Sequence, residues 1–577
     1  MSRSPPAFSN PLTSGLRACR GHLIWAAAFS AGVNLLYLAP TLYMLQVYER
    51  VTPTRGLGTL GLLTLIFVFA VATLAGLDYV RMRLLVKLSS RLDRLLAEKA
   101  LLASLRIDGA NPANGSAPLR DFDLVRQVIT GAGALAVFDA PWTPIYVGAC
   151  FLLHPLLGLF AMGAMVILGL LTAFNERATR APTRRATDAS TLSYISVDRS
   201  VGSSGVIRAL GMTRAMVRRH LLERAVSAHL TSEAGFLSAG YLSLTRFSRM
   251  TLQSLALGLG AYLAVEGLIS AGAIFAASLL ISRALAPVEQ ILAAWRSLTL
   301  AQAAYGRLQV LFAKDPLASA PTVLPALQGA LTLDRVSVQH KDGARLILNG
   351  VSFSLAPGES LGIIGPSGSG KSTLARVITR ATAESSGEIR YDGFAASDWD
   401  ESALASQIGY LPQSPSLLRG SVKENISRFR SEPGQLDAEL DAEVVRAAQS
   451  CGAHRMIGTL PGGYEAALGF AGEGVSLGQA QRIALARALF GKPRLVVLDE
   501  PNAHLDAEGE QDLIQALRRL KADRVSVILI AHRVNILEDV DKLMVLRDGK
   551  VELFGPRDAV AQQLISAASV PQSRSQP

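Results

Sequence analysis

Long runs without a charged side chain constrain this chain most. Residues 23–46 and 57–77 contain no Lys, Arg, Asp or Glu. A helix of about 20 apolar residues crosses the hydrocarbon core of a bilayer, so each run predicts a membrane-spanning helix. Residues 134–174 form a run about twice that length. His154 and Pro155 interrupt it, which predicts two spans joined by a short turn.

A weaker pair of apolar runs brings the predicted number of spans to six. These runs are residues 250–265 and 268–281, and Glu266 and Gly267 separate them. In the whole chain of 577 residues, 50% are hydrophobic and 18% are charged. This balance excludes an ordinary soluble enzyme and a pure channel, and it is typical of a membrane half joined to a soluble half.

The net charge of +11 is concentrated beside the apolar runs. Clusters of Lys and Arg follow the second and fourth runs, at residues 81–94 and 177–185. The positive-inside rule places these segments and both termini in the cytoplasm. Anionic lipid attracts such cations, so we predict contact with a lipid bilayer and no nucleic-acid partner. The connections 80–130 and 175–245 are rich in helix formers and predict helices that continue beyond the membrane.

Asp139 is the acidic residue of the third apolar run. A carboxylate at membrane depth is costly, so it is expected to face the interior of the bundle or a watery cavity. The alternative is that Asp139, beside Pro141, reaches water at the membrane interface.

A phosphate-binding loop is predicted in the second half of the chain, which begins beyond a connector rich in Ala, Pro and Ser. There, short β-rich runs alternate with helical stretches, as in an α/β ATP-binding domain. The motif GxxxxGK[ST] follows the apolar run 361–364. In this motif, backbone N–H groups hold the phosphates, Lys371 reaches the β and γ phosphates, and Ser372 ligates magnesium. The predicted ATP-binding residues are Gly365, Pro366, Ser367, Gly368, Ser369, Gly370, Lys371, Ser372 and Thr373.

A second acidic motif completes the predicted nucleotide site. The apolar run 495–498 leads directly into Asp499 and Glu500. A central strand would deliver Asp499 to the magnesium ion and leave Glu500 to orient or deprotonate the attacking water.

With these motifs the chain resembles an ABC transporter. Gln413 resembles the glutamine that senses magnesium and water, and His532 resembles the switch histidine that contacts the γ-phosphate. The stretch 475–479 resembles the LSGGQ signature, in which Ser476, Gly478 and Gln479 would meet the ATP of a partner subunit. The stretch 502–506 resembles the loop that crosses the dimer.

The chain departs from the family pattern at three positions. Val475 replaces the leading leucine of the signature, and Leu477 replaces one of its glycines. Ser476 and Gly478 are present, so a competent signature is expected. Where relatives stack an aromatic ring on adenine, the stretch 335–340 offers only His340.

The resemblance implies a homodimeric half-exporter. One membrane half and one ATPase half occur per chain, and in this family the signature of one copy completes the phosphate loop of another. The predicted fold is therefore a six-helix membrane domain of the ABC exporter type fused to an α/β P-loop ATPase. The expected segments are an N-terminal cytoplasmic stretch, the membrane domain, a linker, the ATPase domain and a disordered tail, at residues 1–20, 21–312, 313–329, 330–565 and 566–577.

Membrane-half motifs point to one branch of the family. Residues 118–123, 138–146, 210–212 and 283–287 resemble the protease- and lipase-secreting ATPases of type I secretion systems. That resemblance implies a multi-pass protein of the bacterial inner membrane that exports unfolded polypeptides with a C-terminal signal. It also implies a periplasmic adaptor (membrane fusion protein) and an outer-membrane channel as partners.

Two other interpretations are open from the sequence. A lipid or drug half-exporter has the same architecture, because fold alone does not identify cargo. A non-transporting membrane ATPase that regulates a partner is the other, and it is motivated by Val475, Leu477 and His340.

Overall fold

The computed structural model describes residues 11–105, 117–314, 324–340, 345–430, 437–469, 472–531 and 533–569. The chain divides into two compact units, Met1–Ala318 and Ser319–Pro577. The described part of the first unit is helical, and the second combines β-sheets with helices. This architecture agrees with the predicted fold class.

Long helices dominate the first unit. They are α1 (Pro11–Ala18), α2 (Arg20–Leu36), α3 (Ala39–Gln46), α4 (Thr52–Thr54), α5 (Leu57–Leu105), α6 (Ala117–Thr130), α7 (Ala132–Asp139), α8 (Thr143–Leu153), α9 (Pro155–Gly202), α10 (Ser204–Ala209), α11 (Thr213–Val265) and α12 (Ala271–Lys314). The predicted break between two spans lies at His154, which is extended and whose Nδ1 accepts a hydrogen bond from the Leu156 N–H at 3.2 Å.

Five helical segments within the described residues are long and apolar enough to cross a membrane. They are Arg20–Thr54, Leu57–Leu105, Pro118–Leu153, Pro155–Gly202 and Ala271–Ile291. The predicted span 250–265 is the end of α11 and is not among them; Thr251, Gln253 and Ser254 lower its apolar content. A sixth span therefore stays a prediction.

The last predicted apolar run starts later as a helix than expected. The run begins at residue 268, whereas α12 begins at Ala271. Gly267 has a φ of 71°, which ends the preceding helix in a left-handed turn. The Ser270 hydroxyl then accepts a hydrogen bond from the Ala273 N–H at 3.2 Å and caps α12.

The helices continue well beyond the apolar runs, as the sequence predicts. Helix α5 has 49 residues, and α9 and α11 have 48 and 53. At 1.5 Å per residue α5 is about 73 Å long, more than twice the thickness of a hydrocarbon core. Beyond the apolar run, α5 buries a stripe of four leucines at three- and four-residue spacing: Leu85, Leu88, Leu92 and Leu96.

Asp139 lies in the interior of the helical bundle. Its carboxylate is 7% exposed and accepts hydrogen bonds from Arg81 Nη1 at 2.9 Å and from Asn34 Nδ2 at 2.8 Å. Tyr146 donates to the Asn34 carbonyl at 2.8 Å. This network joins α2, α5, α7 and α8. Of the two placements considered for Asp139, the structure supports the interior one.

Removal of the Asp139 carboxylate is expected to destabilise the protein. Asp139→Ala removes the buried partner of Arg81, which is 4% exposed and keeps its pair with Asp78. The loss of that partner is expected to cost about 3 kcal/mol of unfolding free energy. Asp139→Asn keeps a side-chain oxygen that accepts the same two hydrogen bonds, and is expected to cost less. Denaturant unfolding in detergent micelles measures both variants, and equal stability of Asp139→Ala and the unsubstituted protein would contradict this account of the network.

The described part of the second unit contains both strands and helices. They are β1 (Leu331–Gln339), β2 (Leu346–Leu355), β3 (Ser360–Ile364), α13 (Lys371–Ile378), β4 (Ser386–Tyr391), β5 (Phe394–Ala395), α14 (Glu401–Gln407), β6 (Ile408–Leu411), β7 (Gly420–Ser421), α15 (Val422–Ile426), α16 (Ala438–Ser450), α17 (Ala453–Gly458), β8 (Ala467–Leu468), α18 (Leu477–Leu489), β9 (Leu495–Asp499), α19 (Ala507–Ala522), β10 (Ser526–Ile530), β11 (Lys542–Arg547), β12 (Lys550–Pro556) and α20 (Arg557–Ser569).

A six-stranded sheet positions the candidate site. Its strand order is β12-β11-β3-β10-β9-β6, and all neighbours are parallel except β12 and β11. Ile530 pairs with Ile363 on one side and with Asp499 on the other, so β3, β10 and β9 end at the same edge. Ligands of open parallel sheets bind at this carboxyl edge. An antiparallel sheet of order β2-β1-β4-β5 and the short β7–β8 pair complete the unit.

Candidate active site

The phosphate-binding motif forms a tight loop between β3 and α13. Gly368 and Gly370 have φ angles of 80° and 99°, in the left-handed region that favours glycine. A Cβ on Gly370 would lie 2.9 Å from the Ile347 carbonyl oxygen, so a side chain is also excluded by space. The predicted change from strand to helix at this motif is confirmed, with β3 ending at Ile364 and α13 beginning at Lys371.

Lys371 is held inside this loop. Its side chain is buried, and Nζ donates to the carbonyl oxygens of Gly365 at 2.8 Å and Pro366 at 2.9 Å. Burial lowers the pKa of Lys371, and the nearby carboxylates Glu500 and Asp499 oppose that change. The loop therefore keeps a desolvated cation close to both acidic residues.

The hydroxyl groups of the motif differ in their surroundings. Ser369 is buried, and its Oγ has no hydrogen-bond partner among the described residues. Thr373 is also buried, and its Oγ1 accepts a hydrogen bond from Arg376 at 3.2 Å. Pro366, Ser367 and Gly368 are exposed. The tip of the loop is thus accessible to a ligand.

Asp499 and Glu500 end the central strand β9. Asp499 is 1% exposed, and burial raises the pKa of its carboxyl, while the nearby Ser372 hydroxyl lowers it and Glu500 raises it further. Glu500 has a φ of 51°, and its N–H donates to the Ile530 carbonyl at 2.9 Å. This backbone conformation ends the strand directly after Asp499 and sets Glu500 at the carboxyl edge.

One further predicted site residue follows a neighbouring strand of the same edge. Gln413 is exposed and follows β6, whose Leu411 pairs with Leu498 of β9. The topology therefore brings Gln413 to the edge that carries Asp499. His532 comes two residues after β10 but lies outside the described residues, as do positions 470 and 471 just before the signature.

The signature residues form the N-terminus of α18. Ser476 caps this helix: its Oγ accepts from the Gln479 N–H at 3.3 Å, and the Gln479 Oε1 accepts from the Ser476 N–H at 2.8 Å. A Cβ on Gly478 would lie 2.7 Å from the His504 carbonyl oxygen, so this position requires glycine. Leu477 is 52% exposed, which explains why a bulky residue is accommodated there.

The signature lines a groove of its own. Ser476, Gly478 and Gln479 border a cavity of about 760 Å³ together with His504 and Asp506. Among the described residues that line it, none belongs to the phosphate loop. Within the described residues, the groove at the signature is therefore separate from the phosphate loop.

Two residues that support the loops around the site were not predicted from the sequence. Gln481 is buried, and its Nε2 donates to the Pro501 carbonyl at 3.2 Å, which fixes the segment after Glu500. Arg482 pairs with Asp506 at 2.5 Å. Pro501 and Asp506 lie 20 and 24 residues beyond these side chains, so only the tertiary structure identifies the contacts.

The donor set of the site fits a phosphate ligand and magnesium. The Asp499 Oδ1 is buried without a hydrogen-bond partner among the described residues, and the Ser372 hydroxyl is near the carboxylate. Hard oxygen ligands of this kind suit Mg²⁺, which takes one or two protein ligands and completes its shell with phosphates and water. The described residues contain no group of three or more His, Cys, Asp or Glu residues arranged to hold a metal.

Comparisons with known proteins identify the family. Residues 23–288 match the family model described as ABC transporter transmembrane region, and residues 348–503 match the one described as ABC transporter. The type I secretion system ATP-binding protein PrsD of Rhizobium meliloti (strain 1021) is 39% identical over 566 residues, covering 96% of this chain and 95% of PrsD. The chain belongs to the ABC transporters. The predicted family and its type I secretion branch are thereby confirmed.

Two relatives with lower identity to the transporter are also named as translocation or secretion proteins. The cyclolysin secretion/processing ATP-binding protein CyaB of Bordetella pertussis (strain Tohama I) is 29% identical over 92% of this chain and 74% of CyaB. The leukotoxin translocation ATP-binding protein LktB of a Pasteurella haemolytica-like species (strain 5943B) is 28% identical over 92% of this chain and 75% of LktB.

A solved structure of a bacterial Atm1-family ABC exporter with ATP bound matches the transporter with a TM-score of 0.81. It covers 96% of this chain and 99% of the exporter, at 20% identity, which shows the exporter fold. The transporter is a multi-pass membrane protein with an ATP-hydrolysing domain, as predicted.

Proposed function

We propose that this transporter exports unfolded polypeptides with a C-terminal signal as the ATP-driven component of a type I secretion system. The observation that carries the proposal is the 39% identity to PrsD over nearly the whole of both chains. The names of CyaB and LktB, which refer to secretion and translocation of toxins, support it. Protein export, rather than lipid or drug export, is the function that these relatives favour.

In the proposed site, each residue of the sheet edge has one task in ATP hydrolysis. The phosphate loop holds the nucleotide with its backbone N–H groups, and Lys371 donates to the phosphates when it leaves the carbonyls of Gly365 and Pro366. Glu500 orients the attacking water and accepts its proton, while Gln413 and His532 contact the water and the γ-phosphate from the neighbouring strand ends. Ser372, Asp499 and Gln413 are the proposed magnesium ligands, and the ion would neutralise phosphate charge.

The proposed active form is a homodimer. Ser476, Gly478 and Gln479 line a groove that contains no described residue of the phosphate loop, which supports the proposal that they meet the ATP of a second copy. An N-terminal helix end with free N–H groups favours an anion, and α18 presents such an end. The two-fold arrangement then creates two equivalent composite sites.

Gly478→Ala is expected to impair ATP turnover by about tenfold, because the new Cβ must move the His504 carbonyl oxygen from 2.7 Å and so displaces the signature. Leu477→Ala is the matched control, since Leu477 is half exposed and the helix N-terminus tolerates alanine. Steady-state phosphate release by the purified transporter measures both. Turnover of Gly478→Ala equal to that of Leu477→Ala would argue against a working role for the signature.

The same proposal includes the location, the domain bounds and the partners of the transporter. The transporter lies in the bacterial inner membrane, with residues 21–312 as its membrane domain and residues 330–565 as its cytoplasmic ATPase domain. A periplasmic adaptor and an outer-membrane channel are the proposed partners.

Substrate-dependent ATP turnover of the purified transporter tests the proposal. An unfolded polypeptide with its C-terminal signal is expected to change the turnover rate, and the same polypeptide without the signal is not. A response to lipids or drugs, with none to the signal-bearing polypeptide, would instead favour a small-molecule half-exporter.

A further inference from the structure

A cleft between the beginning of α2 and the middle of α5 collects positive charge. It has a volume of about 550 Å³, and Lys87, Arg91 and Arg94 line one wall. His22, Val86 and Leu95 also line it. We call this feature the basic cleft. It belongs to the membrane unit and contains none of the residues assigned above to the nucleotide site.

Helix geometry fixes the three cations of the basic cleft on one face. Lys87, Arg91 and Arg94 have the spacing i, i+4, i+7, so their side chains are neighbours on α5. The other face of this segment buries the leucine stripe described above, so the helix cannot rotate the cations away from the cleft. All three are exposed, which leaves their charged groups accessible.

These cations are not neutralised by acidic side chains. Within the part of the chain that the structure describes, no carboxylate lies within 4.0 Å of Lys87, Arg91 or Arg94. Asp93, the nearest acid in sequence, instead pairs with Arg126 at 2.5 Å. Three uncompensated cations on one face attract an anion with several oxygens, and arginine binds phosphate through two donors at once.

The basic cleft lies beside the start of the uncharged run of α2 and beyond the end of the uncharged run of α5 at residue 77. Arg81 Nη1 donates to Ser30 Oγ at 3.1 Å and Gly32 lies against Leu77, so α5 runs antiparallel to α2 and His22 lies near the level of residue 89. The uncharged run of α2 begins at residue 23, directly after His22. Trp25, 62% exposed, comes one helical turn later, as is typical of aromatic side chains at the headgroup level of a membrane.

We propose that the basic cleft binds an anionic phospholipid of the inner leaflet. The phosphodiester lies among Lys87, Arg91 and Arg94, and the acyl chains extend past Val86, which is 64% exposed on the membrane side of the cations. Basic pockets at the cytoplasmic boundary of a bilayer suit such headgroups. The combination of a membrane boundary, an exposed apolar side chain and the neighbouring Trp25 favours a lipid over a free phosphate ion.

Native mass spectrometry of the purified full-length transporter, titrated with phosphatidylglycerol or phosphatidylcholine, tests the proposal. The unsubstituted protein is expected to retain phosphatidylglycerol in preference to phosphatidylcholine. The triple variant K87Q/R91Q/R94Q is expected to bind phosphatidylglycerol about 100-fold more weakly, or about fivefold for each cation removed, with phosphatidylcholine unaffected.

A matched variant separates the cleft from general surface charge. R177Q/R180Q/R184Q removes three exposed arginines of α9 that do not line the cleft, and it is expected to keep the preference for phosphatidylglycerol. Unchanged retention in the cleft variant, or an equal loss in both triple variants, would overturn the proposal.

Two further measurements test whether charge is the cause of binding and whether the site takes free phosphate. The charge-conserving variant K87R/R91K/R94K is expected to bind phosphatidylglycerol, because all three positive charges are kept. If this variant does not bind, the proposal is overturned, even where the glutamine variant is poorly folded. Inorganic phosphate is expected neither to bind alone nor to displace phosphatidylglycerol. Displacement by phosphate would show a site for a free anion instead.

Discussion

Glu500→Gln is expected to lower steady-state ATP turnover by about 10²- to 10³-fold, because the amide cannot accept the proton of the attacking water. The strand β9 and the hydrogen bond from the Glu500 N–H to the Ile530 carbonyl do not involve the side chain, so the backbone of the site is unchanged. ATP binding is therefore expected to persist. Phosphate release measures turnover, and a fluorescent nucleotide measures binding.

Glu552→Gln is the control for this substitution. Glu552 lies in the outermost strand β12, four strands away from β9 in the sheet, and pairs with Arg547 at 3.1 Å. This variant is expected to turn over ATP at the rate of the unsubstituted transporter. Turnover by Glu500→Gln that is close to this control would remove Glu500 from the proposed mechanism and point to another base.

Lys371→Met is expected to weaken ATP binding by about 3 kcal/mol, or roughly 100-fold, because charged hydrogen bonds to phosphate are lost from the loop. Without nucleotide, the variant is expected to be at least as stable as the unsubstituted protein. Lys371 is a buried cation whose pKa is lowered by burial, and methionine removes that desolvation cost.

Isothermal titration calorimetry measures the affinity of Lys371→Met, and thermal unfolding without nucleotide checks its fold. Lys492→Met is the matched control, since Lys492 is exposed in the segment before β9, at the opposite edge of the sheet, and the substitution is expected to have no effect on affinity. Unchanged affinity in a folded Lys371→Met variant would contradict the assignment of the phosphate loop.

Local patterns predicted the secondary structure that carries the proposed nucleotide site. The phosphate loop lies within one strand-to-helix turn, and Asp499 directly follows an uninterrupted apolar run, so short stretches of sequence suffice to identify both. The family resemblance then added Gln413, the signature and His532. The adenine platform stays open: His340 follows β1 and is exposed.

Long-range contacts explain what the sequence did not reveal. The partners of Asp139 are Arg81, 58 residues away, and Asn34, 105 residues away, and no periodicity relates them. The need for glycine at 478 depends on the His504 carbonyl, which the fold brings close. The start of α12 was predicted three residues early because apolar Leu268 and Ile269 lie in the turn after Gly267 rather than in the helix.

The most direct test of the central claim is secretion by bacterial cells that produce either this transporter or Glu500→Gln, together with the proposed adaptor and outer-membrane channel. Mass spectrometry of the medium compares a reporter polypeptide that carries a C-terminal export signal. If ATP hydrolysis at Glu500 drives protein export, the reporter appears in the medium only with the unsubstituted transporter. Equal secretion by both strains, or a reporter retained in both while lipid composition or drug tolerance differs between them, would contradict the account.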